Sequence, residues 1–139
     1  MTSGDVYKDM ESALNVRLMD VLACDDVPIF FENQGAPDVL APPFVVTDFL
    51  PALPEIRQPA YGGKTRRAAV YQVTIHVAQG SGKALMYGII ESILSGFVPG
   101  EYLHSGDTVV RVTTVNPESG REELGFFAVP VTINCFTER

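Results

Sequence analysis

The chain has 139 residues, of which 46% are hydrophobic, and its formal net charge is −7. This size and composition predict one globular domain over residues 1–139, without the roughly 20-residue apolar run of a membrane span and without a signal-peptide pattern. The negative charge argues against tight, direct binding to a phosphate backbone, which requires an excess of lysine and arginine.

The first predicted element is an amphipathic helix that ends near Ala23. Ser3 or Asp5 can cap its N-terminus, and the Asp25-Asp26 pair is expected to end it. The stripe that follows the i, i+3, i+4, i+7 rule contains six apolar residues and one arginine: Met10, Ala13, Leu14, Arg17, Leu18, Val21 and Leu22. The helix is therefore expected to dock by one face.

Three strands are predicted next, at 29–32, 44–49 and 67–78. Turn residues separate the first two strands, which predicts a hairpin. The stretch 50–66, before the third strand, holds three prolines and two glycines. We expect that stretch to be a long exposed loop. The third strand alternates cleanly, which is typical of one buried and one solvent-facing side. Its predicted buried side consists of Tyr71, Val73, Ile75 and Val77.

A glycine turn at 79–82 leads into a second amphipathic helix, for which Gly96 is the expected left-handed cap. Strands are then predicted at 108–115 and 124–136. Pro130 lacks an amide donor, so the last strand is expected to be bulged there or to lie at a sheet edge. The order α-β-β-β-α-β-β predicts an α+β fold. Its antiparallel or mixed sheet of four or five strands would carry both helices on one face.

No catalytic or metal-binding constellation is visible in the sequence. Gly80 to Lys83 lies where a phosphate-binding loop would lie, but Ile75 and Ala84 stand where that motif needs glycine and Ser or Thr. We expect the two histidines to be solvent or interface residues and the two cysteines to be buried thiols: His76, His104, Cys24 and Cys135. The sequence therefore predicts no catalytic residue, no cofactor and no metal, and a protein that is not an enzyme.

Several short motifs occur in a fixed order along most of the chain. They are Asp5 to Asp9, Arg57-Gln58-Pro59, Tyr71-Gln72-Val73 and a small-residue helix start near Gly82. In this order the chain resembles the tail terminator, or tail completion, proteins of long-tailed bacteriophages. It is most similar there to prophage-associated minor tail proteins of unknown function. The rest of the first helix and the first hairpin depart from the resemblance.

The resemblance implies a structural virion protein without catalytic residues. Such proteins form a ring, usually of six subunits, that caps the tail tube, stops its polymerisation and presents a surface for joining the head. The implied partners are further copies of the chain, the major tail tube protein and a head-completion or connector protein. DNA would pass through without specific binding, and no membrane is involved. The expected location is the tail or neck of the virion, and the host cytoplasm during assembly.

The one basic cluster of this acidic chain is formed by Arg57, Lys64, Arg66 and Arg67. It is either a solvated loop or a contact to an acidic surface of a neighbouring subunit or of the tube. We favour the second interpretation, because a ring needs a different patch on each side of its subunit. Two other functions stay open. One is a head-completion connector, and the other is a small α+β enzyme or ligand-binding domain that uses the glycine turn.

Overall fold

The described part of the chain forms two helices and eight strands. The computed structural model describes residues 3–23, 27–31, 43–52, 55–56, 65–78, 80, 84–106, 108–123 and 125–138. The helices are α1 (Ser3–Leu22) and α2 (Ala84–Gly96). The strands are β1 (Ile29–Phe30), β2 (Phe44–Pro51), β3 (Glu55–Ile56), β4 (Thr65–Ala78), β5 (Tyr102–Ser105), β6 (Thr108–Pro117), β7 (Arg121–Glu123) and β8 (Phe126–Glu138).

The predicted α+β class and the two helices are confirmed, but the predicted number of strands is too low. All eight strands join one sheet along the path β1-β2-β4-β8-β6-β5, with β3 added beside β4 and β7 beside β8. The three additional strands are β3, β5 and β7, which have two, four and three residues. Segments this short show too few residues for an alternating pattern to stand out.

The sheet is mixed, because β1 runs parallel to β2 while the other pairs are antiparallel. The expected first hairpin is therefore wrong. A long loop was expected at 50–66. The described part of this stretch instead contains the last residues of β2, the whole of β3 and the first residues of β4. Residues 53–54 and 57–64 lie outside the described residues, as do Cys24, Asp25, Asp26 and the side chains of Ser3 and Asp5.

The centre of the sheet is the antiparallel pairing of β4 with β8. Every residue from Arg66 to Ala78 has a partner in β8. The predicted alternation of β4 is confirmed, because Tyr71, Val73, Ile75 and Val77 are all buried. They belong to one hydrophobic cluster with side chains of both helices, including Leu14, Leu18, Met86, Ile89 and Ile93. We call the face that the helices cover the inner face, and the opposite one the outer face.

Pro130 is paired without a break to β4, but on the other side of β8 the ladder is interrupted at this residue, so the expected irregularity lies on that side alone. Pro130 sits opposite Thr74 of β4 in an unbroken register. Its carbonyl oxygen accepts a hydrogen bond of 2.8 Å from the amide of Glu118, on the side away from β4. Because the N–H and C=O positions of one strand residue point to the same side, the missing donor faces the 118–120 turn, not β4. Among the described residues, the register along this side of β8 shifts twice, once between Val112 and Thr114 of β6 and once at Pro130, between the last pair of β6 and the first pair of β7.

Gly96 ends α2 as predicted, but it does not have the left-handed conformation of a cap. Its role is a close approach to α1. A Cβ atom added to Gly96 would lie 2.0 Å from Cγ2 of Val21. The guanidinium of Arg17 also donates a 3.1 Å hydrogen bond to the Gly96 carbonyl oxygen, which satisfies an acceptor at the end of the helix. The two helices therefore meet at a glycine that has no room for a side chain.

Replacing this glycine should separate the helices. We expect Gly96→Ala to lower the free energy of unfolding by about 1–3 kcal/mol, the usual cost of overpacking. Gly88→Ala in the same helix is the matched control, because nothing lies within 4 Å of its added Cβ. That control should gain about 0.5–1 kcal/mol from helix propensity. Urea melts of both variants check this, and equal midpoints would contradict it. Val21→Ala combined with Gly96→Ala should recover part of the loss.

Candidate assembly surfaces

The predicted basic cluster is divided by the strand on which part of it lies. Arg57 and Lys64 are outside the described residues. Arg66 and Arg67 are consecutive in β4, so their side chains leave opposite faces of the sheet. Arg66 is on the outer face, whereas Arg67 is on the inner-face side, opposite the buried Thr137. The two described members therefore do not form one patch.

Arg66 belongs to a different grouping, which we call the arginine–aromatic row. This row crosses the outer face and consists of Tyr102, Arg111, Phe136 and Arg66. Arg111 is the register partner of both Tyr102 and Phe136. Its guanidinium carbon lies 5.6 Å from the ring centroid of Tyr102, and that of Arg66 lies 3.7 Å from the centroid of Phe136. Each ring holds a cation at the surface, an interaction of about 0.5–1 kcal/mol.

Sequence reasoning missed Tyr102 and Arg111. The signal that could have found Arg111 is its position between Val110 and Val112, which would put it on the solvent side of the predicted strand. The ring beside it could not be found, because β5 was not predicted and cross-strand neighbours depend on the register. The row gives the acidic chain two outward-facing cations that share one end of the sheet.

The rest of the outer face is polar in the middle and aromatic at the far end. Glu118 Oε2 accepts hydrogen bonds from Thr132 Oγ1 at 2.6 Å and Gln72 Nε2 at 3.5 Å. At the far end, His76 stacks on Phe44 with ring centroids 4.5 Å apart and an interplanar angle of 10°. His76, expected to be a solvent or interface residue, is half-buried in an aromatic cluster. His104 is exposed on β5, three strands away from β4.

A second surface feature is a groove of about 470 Å³ on the inner-face side, between α2 and the turn from β6 to β7. We call it the α2 groove. Its apolar wall includes Met86, Ile90, Phe127 and Val129, and the exposed Glu91 is on its rim. The turn approaches Phe127 closely, since a Cβ atom on Gly120 would lie 2.3 Å from Cζ of that ring. The groove thus combines an apolar wall with the negative charge of Glu91.

The polar chemistry inside the core is structural. The Tyr71 hydroxyl donates a 2.6 Å hydrogen bond to Asn15 Oδ1, and it also interacts with Thr47, so this cluster links α1, β2 and β4. Burial raises the pKa of Tyr71 above its usual range. Within the described residues, no three His, Cys, Asp or Glu side chains are placed to hold a metal ion. Gly80 has a φ of +82°, whereas Ser81, Gly82 and Lys83 lie outside the described residues.

The family of the chain follows from its sequence profile. The family model described as phage tail terminator protein matches residues 9–135. The chain belongs to this family. It is therefore a structural protein of a phage tail. No helix in the described ranges is both long and apolar enough to cross a membrane.

Solved structures show the same fold. One, a protein known only by a serial designation, has a TM-score of 0.76 at 20% identity, covering 100% of this chain and 97% of that chain. Another is a chain of the virion of a native gene transfer agent particle. Its TM-score is 0.65 at 11% identity, and the alignment covers 96% of this chain and 98% of that chain. No curated protein matches the sequence.

The buried thiol of Cys135 predicts a measurable pH dependence of stability. Burial raises the pKa of this thiol from 9.0 to about 12. The folded state therefore keeps a proton that the unfolded chain releases above pH 9. Stability from this group is complete below pH 9 and falls between pH 9 and 12, by at most about 1.4 kcal/mol per pH unit.

We expect the free energy of unfolding of the native sequence to fall more steeply above pH 9 than that of Cys135→Ala. Urea melts at intervals from pH 8 to 10.5 would measure both slopes. Tyr71 is present in both proteins, so its own titration cancels in the comparison. Parallel pH profiles would contradict the assignment.

Proposed function

We propose that this chain forms an oligomeric ring that caps the tail tube of its virion, ends tube polymerisation and offers the surface to which the head is joined. The family match over residues 9–135 carries this proposal. The ring is proposed to contain six copies, and its partners to be the major tail tube protein and a head-completion or connector protein. We also infer that DNA passes through the ring without specific binding, consistent with the net charge of −7.

The proposed mechanism is geometric. A head-to-tail contact uses two different patches of one subunit, and the assembly closes when the rotation between copies divides a full turn. A closed ring then buries the patch that a further tube subunit would need. The two sides of the sheet differ in the required way. The inner face carries both helices and the acidic α2 groove, whereas the outer face carries the arginine–aromatic row. Assembly occurs in the host cytoplasm, and the product resides in the tail or neck.

The sheet edges give this proposal a further constraint. The path ends at β1 and β5, and the short strands β3 and β7 each pair with a single neighbour, so these four are the edge strands, whereas β8, which contains Pro130, has neighbours on both sides. β5 has only four residues, and a short edge strand limits uncontrolled pairing with other chains. We propose that growth stops because the subunit contacts close on themselves, and that the protein makes no chemical step.

Imaging tests the ring directly. We expect electron microscopy to show closed rings of the purified protein, alone or on isolated tails, with one ring at the head-proximal end of each tube. Light scattering of the protein with and without tube protein gives the mass. A monomer under both conditions would refute the ring. A ring bound to the portal instead of the tube would favour a connector, and a specific thermal shift with a nucleotide or divalent metal would favour a ligand-binding domain.

Charge reversal tests the predicted basic interface. We expect Arg57→Glu combined with Arg66→Glu to weaken ring or tube association, because both changes remove attraction to an acidic neighbour. The free energy of unfolding should change by no more than about 1 kcal/mol, since Arg66 loses only its contact with the Phe136 ring. Sedimentation measures association, and urea melts measure folding. Unchanged assembly by the double variant would remove these residues from the interface.

A further inference from the structure

Tyr102 and Arg111 form a protruding pair at the β5 end of the sheet. The Tyr102 side chain is 53% exposed, and the guanidinium of the exposed Arg111 lies 5.6 Å from the ring centroid. An aromatic ring at this exposure leaves apolar area in water that burial would remove. We call this pair the Tyr102 knob, because it presents a ring and a cation together.

The α2 groove has the complementary chemistry. Its wall is apolar, and the carboxylate of Glu91 is exposed on its rim. An aromatic side chain can pack on the apolar wall, and a cation beside that side chain would then lie next to the acidic rim. Glu118 also lines the groove, but its carboxylate accepts hydrogen bonds from Thr132 and Gln72 on the outer face. Glu91 is therefore the better partner for an incoming arginine.

Knob and groove cannot meet within one subunit. Arg111 is near the start of β6, whereas the groove is bounded by Pro117 and the turn that follows this strand. Arg111 and Pro117 are six residues apart in an extended strand, which corresponds to a distance of about 20 Å. The knob is also on the outer face, and the groove is on the inner-face side. Only two different copies can bring the surfaces together, which is the arrangement of a head-to-tail contact.

We propose that the Tyr102 knob of one copy inserts into the α2 groove of the next copy, with Arg111 paired to Glu91. This inference rests on the proposed ring and names the surfaces that build it. The ring of Tyr102 supplies the buried anchor, as aromatic side chains commonly do in interfaces. The Arg111–Glu91 pair favours a head-to-tail contact, because placing knob against knob or groove against groove would bring like charges together.

The test uses the full chain and a charge exchange. Arg111→Glu and Glu91→Arg should each weaken self-association at least tenfold, and a chain carrying both should recover most of the loss. Tyr102→Ser should also weaken association at least tenfold. Tyr102→Phe should leave association near the native value, because phenylalanine keeps the aromatic side chain. Glu122→Lys is the control for adding positive charge, since this exposed residue of β7 is not in the groove. Sedimentation, with and without tube protein, measures each variant.

The outcomes separate this inference from the proposed function. Native rings with all variants unaffected would overturn the knob-and-groove contact and leave the ring intact. Intact rings that no longer bind the tube would assign the groove to the tube protein, and this would also overturn the inference. Native monomers under both conditions would refute the ring itself. Urea melts confirm folding, and if Tyr102→Ser unfolds, the Arg111 and Glu91 exchange still decides the question.

Discussion

The pairing of β4 with β8 is the constraint on which the other features depend. All thirteen residues of β8 are paired with β4 in one register. If β8 slipped by one residue, its apolar side chains would move from the inner face to the outer face. Both helices cover the inner face of this pair, and the arginine–aromatic row lies across its outer face. The core and the arginine–aromatic row are thus on opposite sides of one sheet.

Helix α1 connects the core to the assembly surfaces through polar contacts. Asn15 accepts the hydrogen bond of Tyr71 in β4, which sets the rotation of α1 over the sheet. Two residues further along the helix, Arg17 is hydrogen-bonded to the end of α2 and forms an ion pair with Glu101, directly before β5. The position of Tyr102 therefore depends on a helix that belongs to the core. The exposed knob is held by the same contacts that join the two helices.

The sequence predicted the elements whose pattern repeats often enough to be seen. The alternation of β4 and the apolar stripes of both helices identified the class and the inner face correctly. What was missed depends on tertiary neighbours. The sheet accommodates Pro130 because the side on which it lacks an N–H group faces a turn and not a strand. Gly96 has to be a glycine because the side chain of Val21, in the other helix, occupies the space of a Cβ atom. Neither partner can be read from local sequence.

The candidate surfaces show the same limit. Arg66 and Arg67 were grouped because the predicted strand began at 67, whereas β4 begins at Thr65 and sends the two side chains to opposite faces. A difference of two residues in a strand boundary was enough to divide the cluster. The knob was missed because four-residue β5 gives no recognisable period, although its exposed ring and cation are apparent once the register is known.

The two glycine contacts have a consequence for how the groove binds. Gly96 lets α2 rest on α1 with no intervening side chain, and Gly120 lets the opposite wall rest on the ring of Phe127. Each contact fixes the backbone of one wall, so filling the groove would require little backbone movement. A preorganised cleft loses little conformational entropy when it is filled, so even a small anchor can give a durable contact.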